Sequence, residues 1–200
     1  MSHFDFSIEN IIIKAWSKFR ENSFFWILVT LFIVALSLSG NIMPLAGLFT
    51  LLSYYFSAAI TLMSIRYMRN EVISFNDLLA VSSMKFLHYF ATSILVSVFT
   101  LLGLVLFIIP GFYIMVRLMF AQYLIIDNNI GFDEAIKKSW YLTKGREFAL
   151  IGFLSAMFII VIIGILSFFV GLLISIPVIQ LSTAYLYLSL IRNSDKLDVW

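Results

Sequence analysis

Long apolar stretches, with Arg117 as their one charge, alternate along this chain with short segments in which apolar and charged positions follow a helical period. The apolar stretches cover residues 24–43, 45–65, 89–109, 112–126, 148–170 and 172–191. At 1.5 Å per residue, a helix of 20 residues is about 30 Å long, which matches the hydrocarbon core of a bilayer. The pattern therefore predicts an all-α polytopic membrane protein with six transmembrane helices.

Three segments between these stretches predict amphipathic surface helices. They cover residues 7–20, 74–87 and 127–146, and each one precedes two of the apolar stretches. In the first segment, apolar side chains recur on one helical face: Ile8, Ile11, Ile12, Ala15, Trp16 and Phe19. Ser7 has the hydroxyl that favours a helix start. Such helices suit the membrane surface, with their apolar face inward.

The three surface segments align with one another. When Ser7, Ser74 and Gly131 are placed in register, Trp16 matches Trp140, and acidic or amide residues follow each start. This favours one membrane domain, 1–200, built from three repeat-like units at 7–69, 74–127 and 131–192. Each unit is a transmembrane hairpin preceded by an amphipathic interfacial helix. Alternatively, unrelated surface helices look alike because acids favour helix starts and bases favour membrane edges; both interpretations give the same topology.

Composition supports the membrane assignment. Hydrophobic residues make up 62% of the 200 residues and charged residues 12%, with a mean hydropathy of +1.03; soluble domains are about a quarter charged. The net charge of +2 is too small to indicate a nucleic-acid partner. Cysteine is absent, which excludes disulfides and a thiol nucleophile.

The charges are strongly asymmetric. Of 13 lysines and arginines, all but Arg117 fall in the two terminal segments and the two long loops. The three intervening turns, at 40–44, at Pro110–Gly111 and near Gly171, carry none. Because basic loops stay cytoplasmic, we expect an inner-membrane protein with both termini in the cytoplasm. The N-terminus does not have the form of a cleavable signal peptide.

A set of short motifs resembles a bacterial membrane-domain family. The motifs are Ile109-Pro110-Gly111-Phe112-Tyr113, Arg117, Ile126-Asp127, Ala135-Ile136-Lys137-Lys138-Ser139-Trp140 and Thr143-Lys144-Gly145. That family includes the membrane domain attached to some glycerophosphodiester phosphodiesterases, and stand-alone integral membrane proteins. The resemblance implies structural roles for Pro110, Gly111, Ser139, Trp140 and Gly145. The chain departs from the family pattern at Gln122, where a proline is expected, so a kink there is not implied.

Enzymatic activity is not expected. The cytoplasmic segments are too short to hold a phosphodiesterase domain, so the activity of fused relatives does not carry over. No Asp, Glu, His, Lys or Cys lies within a predicted span, where an intramembrane reaction would need acid–base groups or metal ligands. Asp133 and Glu134 are explained as first-turn residues of a helix. We therefore expect no catalytic residues, no metal and no cofactor.

Arg117 is the charge that the predicted spans contain, about 9 Å into the fourth span from Gly111. Such a charge costs a few kcal/mol unless it is paired or hydrated, and no acid is expected within a span. One hypothesis is structural: the side chain extends to the outer head groups, or bonds carbonyls and hydroxyls near Ser97, Thr100 or Pro177. The other is functional: with Tyr113, Arg117 binds the anionic head group of a lipid or amphiphile.

Two functions follow from these alternatives. The first is an integral membrane module that binds or transports an anionic lipid or amphiphile, with membrane lipids as its partners. The second is a non-catalytic structural or assembly subunit of a membrane complex, whose partner is another membrane protein or a second copy of this chain.

Overall fold

The computed structural model describes residues 7–39, 46–106, 108–167 and 170–195, and within these ranges it contains helices and no strand. The α-helices are α1 (Ile8–Glu21), α2 (Ser23–Ser39), α3 (Ala46–Met68), α4 (Ser83–Leu106), α5 (Ile108–Leu118), α6 (Ala121–Asn128), α7 (Phe132–Thr143), α8 (Glu147–Leu166) and α9 (Leu172–Asp195). A short 3-10 helix, Phe75–Leu79, lies between α3 and α4. The all-α prediction is confirmed.

Four helices are long and apolar enough to cross a membrane: α3, α4, α8 and α9. A fifth candidate is the pair α1 and α2, which are bent by 94° at their junction. The structure thus supports a multi-pass membrane protein with four to five candidate spans within the described residues. It does not confirm the arrangement of six spans in three hairpins, and the division into three repeat-like units stays a prediction.

The first amphipathic helix is confirmed as α1. The backbone N–H of Asn10 donates to the Ser7 Oγ at 3.3 Å, so Ser7 caps the helix as predicted. The helix buries Ile11, Ala15 and Phe19 and packs mainly against α9. Trp16 lies on the protein surface beside Ile12 and Val178, and its predicted orientation toward the membrane stays a prediction.

The second amphipathic helix, predicted at 74–87, is wrong. Only the 3-10 helix forms there, and its turn is held by Asp77, whose carboxylate accepts from the Ser74 N–H at 2.7 Å and from Arg66 at 2.8 Å. A new helix, α4, then starts at Ser83, because the Ser82 Oγ accepts the N–H of Lys85 at 3.4 Å. The residues that follow belong to the long helix rather than to a surface segment.

The turn predicted at Pro110–Gly111 is also wrong, because both residues lie in the first turn of α5. Proline is tolerated there, since the first N–H groups of a helix have no partner within the helix. Gly111 serves close packing instead. A Cβ added to Gly111 would lie 2.4 Å from the backbone N of Leu104, so α5 lies directly against α4.

The fourth predicted span, 112–126, is not one continuous helix. It is interrupted at Met119 and Phe120, between α5 and α6. The interruption precedes Ala121 and occurs without the proline that the family pattern led us to expect at the position of Gln122. The physical reason lies in the contacts of α7, which are described below.

The best-packed part of the core surrounds α6. Leu124, Ile125 and Ile126 are fully buried, and α6 packs against α3, α4 and α7. This region lies at the charged end of the bundle, which we define as the end that contains Arg69, Asp127 and the start of α4. The opposite end of α4 is exposed, as expected for a surface that faces lipid. The turn predicted at 40–44 lies outside the described residues.

Candidate functional site

The interruption between α5 and α6 frees the backbone carbonyl of Arg117 from the helical hydrogen-bond pattern, and side chains of α7 donate hydrogen bonds to it instead. The Ser139 Oγ donates to this carbonyl at 2.9 Å, and the Thr143 Oγ1 lies 3.2 Å from it. Both hydroxyls are buried, together with Ala135 on the same helical face. An uncapped carbonyl in a buried place is costly. The two side chains therefore stabilise the interruption without any proline.

The Arg117 side chain forms an ion pair that the sequence analysis did not foresee. Its Nη1 donates to the Oε1 of Glu147 at 2.9 Å. Glu147 is the first residue of α8, so the Arg117 side chain lies beside the start of that helix. No acid was expected within a span, and Glu147 lies one residue before the predicted span 148–170, yet it reaches Arg117. The structure pairs the guanidinium with none of Ser97, Thr100 and Pro177.

The backbone of Gly145 also holds the Glu147 carboxylate in place. Its backbone has φ +75°, a left-handed conformation that favours glycine. In that conformation the Gly145 N–H donates to the Oε1 of Glu147 at 3.1 Å. The same carboxylate oxygen thus accepts from Arg117 and from the loop before α8. This is a structural role of the kind that the resemblance implied for Gly145.

Two aromatic rings cover the guanidinium. The Cζ of Arg117 lies 4.5 Å from the ring centroid of Trp140 and 5.7 Å from that of Tyr113. The two rings meet edge to face, with centroids 5.9 Å apart. Cation–π contacts of this kind stabilise a desolvated charge. The structure therefore brings together Arg117, Tyr113, Ser139, Trp140 and Gly145, whereas Pro110 and Gly111 lie at the other end of α5.

The guanidinium of Arg117 has an N–H donor without a partner among the described residues. Its side chain is 2% exposed, against 24% for Glu147. Of its five N–H donors, one of the two at Nη1 is bonded to Glu147, and the buried Nε has no hydrogen-bond partner among the described residues. An arginine that offers Nε can hold an anion in the bidentate geometry typical of carboxylates and phosphates.

A second polar cluster lies at the charged end, and the sequence analysis missed it. Arg69 donates to both oxygens of Asp127, at 2.6 and 2.7 Å, and the Tyr187 hydroxyl donates to the same carboxylate at 3.0 Å. Hydrogen bonding to Asp127 raises the pKa of the Arg69 guanidinium above its usual value. The Nζ of Lys85 donates to the carbonyl of Ile126 at 3.1 Å. The cluster ties α3, α4, α6 and α9 together, which is a structural role.

Several cavities lie between the helices. A wide apolar groove of about 600 Å³ separates α5 from α8. Its lining residues are Phe112, Met115, Leu154, Ser155, Met157, Phe158, Ile159, Val161 and Ile179. A smaller cavity of about 180 Å³ lies among α2, α3 and α9. Within the described ranges, no group of three or more His, Cys, Asp or Glu side chains is placed to hold a metal ion.

A comparison with protein families matches residues 86–193 to the membrane domain of glycerophosphoryl diester phosphodiesterase. The match covers more than half of the chain. The chain belongs to this family. The matched region runs from α4 to α9. It contains the interrupted pair α5 and α6 and the Arg117 cluster, which we define as Arg117, Tyr113, Trp140, Gly145 and Glu147. No curated protein and no solved structure matches the chain.

Proposed function

We propose that this chain is a non-catalytic membrane module that binds an anionic lipid or amphiphile, with Arg117 as the residue that receives the head group. The observation that carries the proposal is the buried Nε of Arg117, which has no hydrogen-bond partner among the described residues. A buried donor without a partner costs about 1–3 kcal/mol. A phosphate or carboxylate oxygen would satisfy it.

In the proposed topology the chain crosses the bacterial inner membrane six times, with both termini in the cytoplasm. The crossings are α2, α3, α4, the interrupted pair α5 and α6, α8 and α9. Together α5 and α6 extend from residue 108 to residue 128, which is about 30 Å of helix and enough for one crossing. The basic segments then lie on one side, in agreement with the positive-inside rule.

The apolar body of the ligand would occupy the groove between α5 and α8. Its volume of about 600 Å³ is within the usual range of ligand pockets, roughly 300–1,000 Å³. Phe112 and Met115 contribute to the groove from the same helix that carries Arg117. Interrupted membrane helices commonly bind substrates at the interruption, which supports a head-group site beside Arg117.

Glu147 would compete with the ligand for the guanidinium. The carboxylate is partly exposed, and Arg117 is not, so Glu147 is the partner that water can stabilise after release. An anion that binds through Nε and one Nη would displace Glu147 or share the guanidinium with it. In either case, a Glu147 variant without charge should bind the anion more tightly.

Lipid analysis of the purified protein by native mass spectrometry tests the proposal. The unaltered chain should retain an anionic lipid, and Arg117→Leu should lose it. Arg117→Lys should recover it only in part, because an ammonium cannot form the bidentate contact. The matched control is Arg20→Leu, which removes an exposed arginine of α1, a helix that does not line the groove.

Equal lipid retention by Arg117→Leu and Arg20→Leu would contradict the proposal. A second protein retained in place of a lipid would instead support the alternative function, a structural or assembly subunit that docks a membrane-protein partner or a second copy of this chain. The experiment thus separates the two functions that the sequence left open.

A further inference from the structure

A second site lies in the smaller cavity, among α2, α3 and α9. Trp26 lines this cavity, its side chain is 1% exposed, and its Nε1 has no hydrogen-bond partner among the described residues. Gln180 also lines the cavity, and its side-chain amide makes no hydrogen bond to any of the described residues. The cavity therefore combines an apolar wall with two polar groups that are left to a ligand.

The polar groups around the cavity are otherwise engaged. The Thr30 hydroxyl donates to the Trp26 carbonyl at 2.8 Å, and the Ser57 hydroxyl pairs with Tyr89 at 3.0 Å. No charged side chain lines the cavity. Since an indole N–H can only donate, the group that meets Trp26 must be an acceptor, and since the cavity is uncharged, that acceptor is neutral.

The Trp26 end of the cavity fits the level of lipid ester groups. Trp26 is the fourth residue of α2, about 4.5 Å along the helix axis from Ser23, and α1 meets α2 there at 94°. The interfacial layer of a bilayer is about 5–8 Å thick on each side of its hydrocarbon core. Ile176, which is 40% exposed, forms the rim beside α9. A lipid chain can therefore enter the cavity from the bilayer.

We propose that this cavity binds a membrane glycerolipid through one of its ester carbonyls, which accepts a hydrogen bond from the Nε1 of Trp26. The Gln180 amide supplies a second donor to the same ester group, and the lipid's acyl chain lies along Val29, Ile33 and Ile60. The site is separate from the Arg117 cluster. It recognises the neutral linkage of the lipid and not its anionic head group.

The test uses the full-length chain in detergent with two probes: a diacyl phosphatidylethanolamine, and its dialkyl ether counterpart with chains of the same length. The ether lacks the carbonyl and keeps everything else. We expect the diester to bind roughly two- to tenfold more tightly, the ratio that one hydrogen bond gives. We also expect it alone to move the indole N–H resonance of Trp26 downfield, with that resonance assigned by its loss in Trp26→Phe.

Controls make the outcome decisive. Trp26→Phe and Gln180→Leu should each reduce the preference for the ester, and Trp16→Phe, which changes an exposed tryptophan outside this cavity, should leave it unchanged. Equal affinity for the two lipids, or the same Trp26 resonance with either lipid and with neither, would mean that water or nothing meets the indole, and would overturn the proposal. The comparison of the two lipids on the unaltered chain stands even where Trp26→Phe does not fold. Loss of an anionic lipid in Arg117→Leu does not affect this result.

Discussion

Arg117 and Glu147 are thirty residues apart in the chain, and their side chains form an ion pair of 2.9 Å between the end of α5 and the start of α8. The two partners are unequally buried, at 2% and 24% exposed. The pair is also the link between the interrupted span and the loop at Gly145. This asymmetry determines which partner is more costly to remove.

Glu147→Gln should destabilise the protein more than Arg117→Leu does. Removing Glu147 leaves a buried guanidinium without its counter-charge, whereas removing Arg117 leaves a carboxylate that water can reach. Breaking a fully buried pair costs about 3–5 kcal/mol, and because Glu147 is partly hydrated we expect about 2 kcal/mol for Glu147→Gln. Chemical unfolding in detergent measures the difference.

The control for this experiment is Glu21→Gln, which breaks the exposed pair between Lys18 and Glu21 at a similar distance of 2.8 Å. Exposed pairs contribute about 0–1 kcal/mol, so this change should be nearly neutral. If Glu147→Gln is as mild as Glu21→Gln, the Arg117 pair does not stabilise the fold.

The hydroxyl contacts of α7 give a second prediction. Ser139→Ala removes the donor that lies 2.9 Å from the Arg117 carbonyl, and because that carbonyl is buried the change should cost about 1 kcal/mol. Ser139→Ala together with Thr143→Val should cost more than either alone, since both hydroxyls lie near the same oxygen. The matched control is Thr143→Ser, which keeps a hydroxyl there and should cost less than Thr143→Val. Thermal unfolding of the four variants checks this, and additive, negligible effects would show that the carbonyl does not need these donors.

Gly111, at the contact between α4 and α5, gives a third prediction. Gly111→Ala would place a Cβ 2.4 Å from the Leu104 backbone N, so the helices must separate, with a loss of about 1–3 kcal/mol. Gly47→Ala is the control: it lies in α3 with no atom within 4 Å of the new Cβ. That change should stabilise the helix by roughly 0.5–1 kcal/mol. The two variants should change the free energy of unfolding in opposite directions. Equal changes in the free energy of unfolding would contradict the close contact between α4 and α5.

The sequence predicted the helical content and the two amphipathic helices α1 and α7, because their apolar positions repeat with a clear helical period. It did not predict the interruption before Ala121, since neither proline nor glycine marks it. The support for that interruption comes from Ser139 and Thr143, which are distant in the chain. Sequence patterns report local preference, and a carbonyl bonded by another helix leaves no local signal.

The partner of Arg117 was missed for a related reason. Counting from a turn at Gly111 places Arg117 near the outer end of its predicted span, and Glu147 falls between the predicted surface segment 127–146 and the predicted span 148–170. In the structure Gly111 is a packing residue inside α5, so the helix runs further toward the charged end. An acid at the very first position of a span, as Glu147 is for α8, was the signal that could have suggested the pair.

Single-cysteine labelling tests the topology, because the chain contains no cysteine of its own. Cysteines placed at 110 and 170, where Pro110 and Val170 are exposed, should react with a membrane-impermeant maleimide on intact spheroplasts. Cysteines at 70 and 130 should react only after the membrane is opened, because the positive-inside rule places the charged end in the cytoplasm.

The cysteine at 110 gives the decisive result. If it is labelled only after the membrane is opened, α4 and α5 do not reach the outer surface, α5 and α6 do not complete a crossing, and the six-span topology is excluded. Labelling at 110 from outside, with 130 protected, requires the interrupted pair α5 and α6 to cross the bilayer.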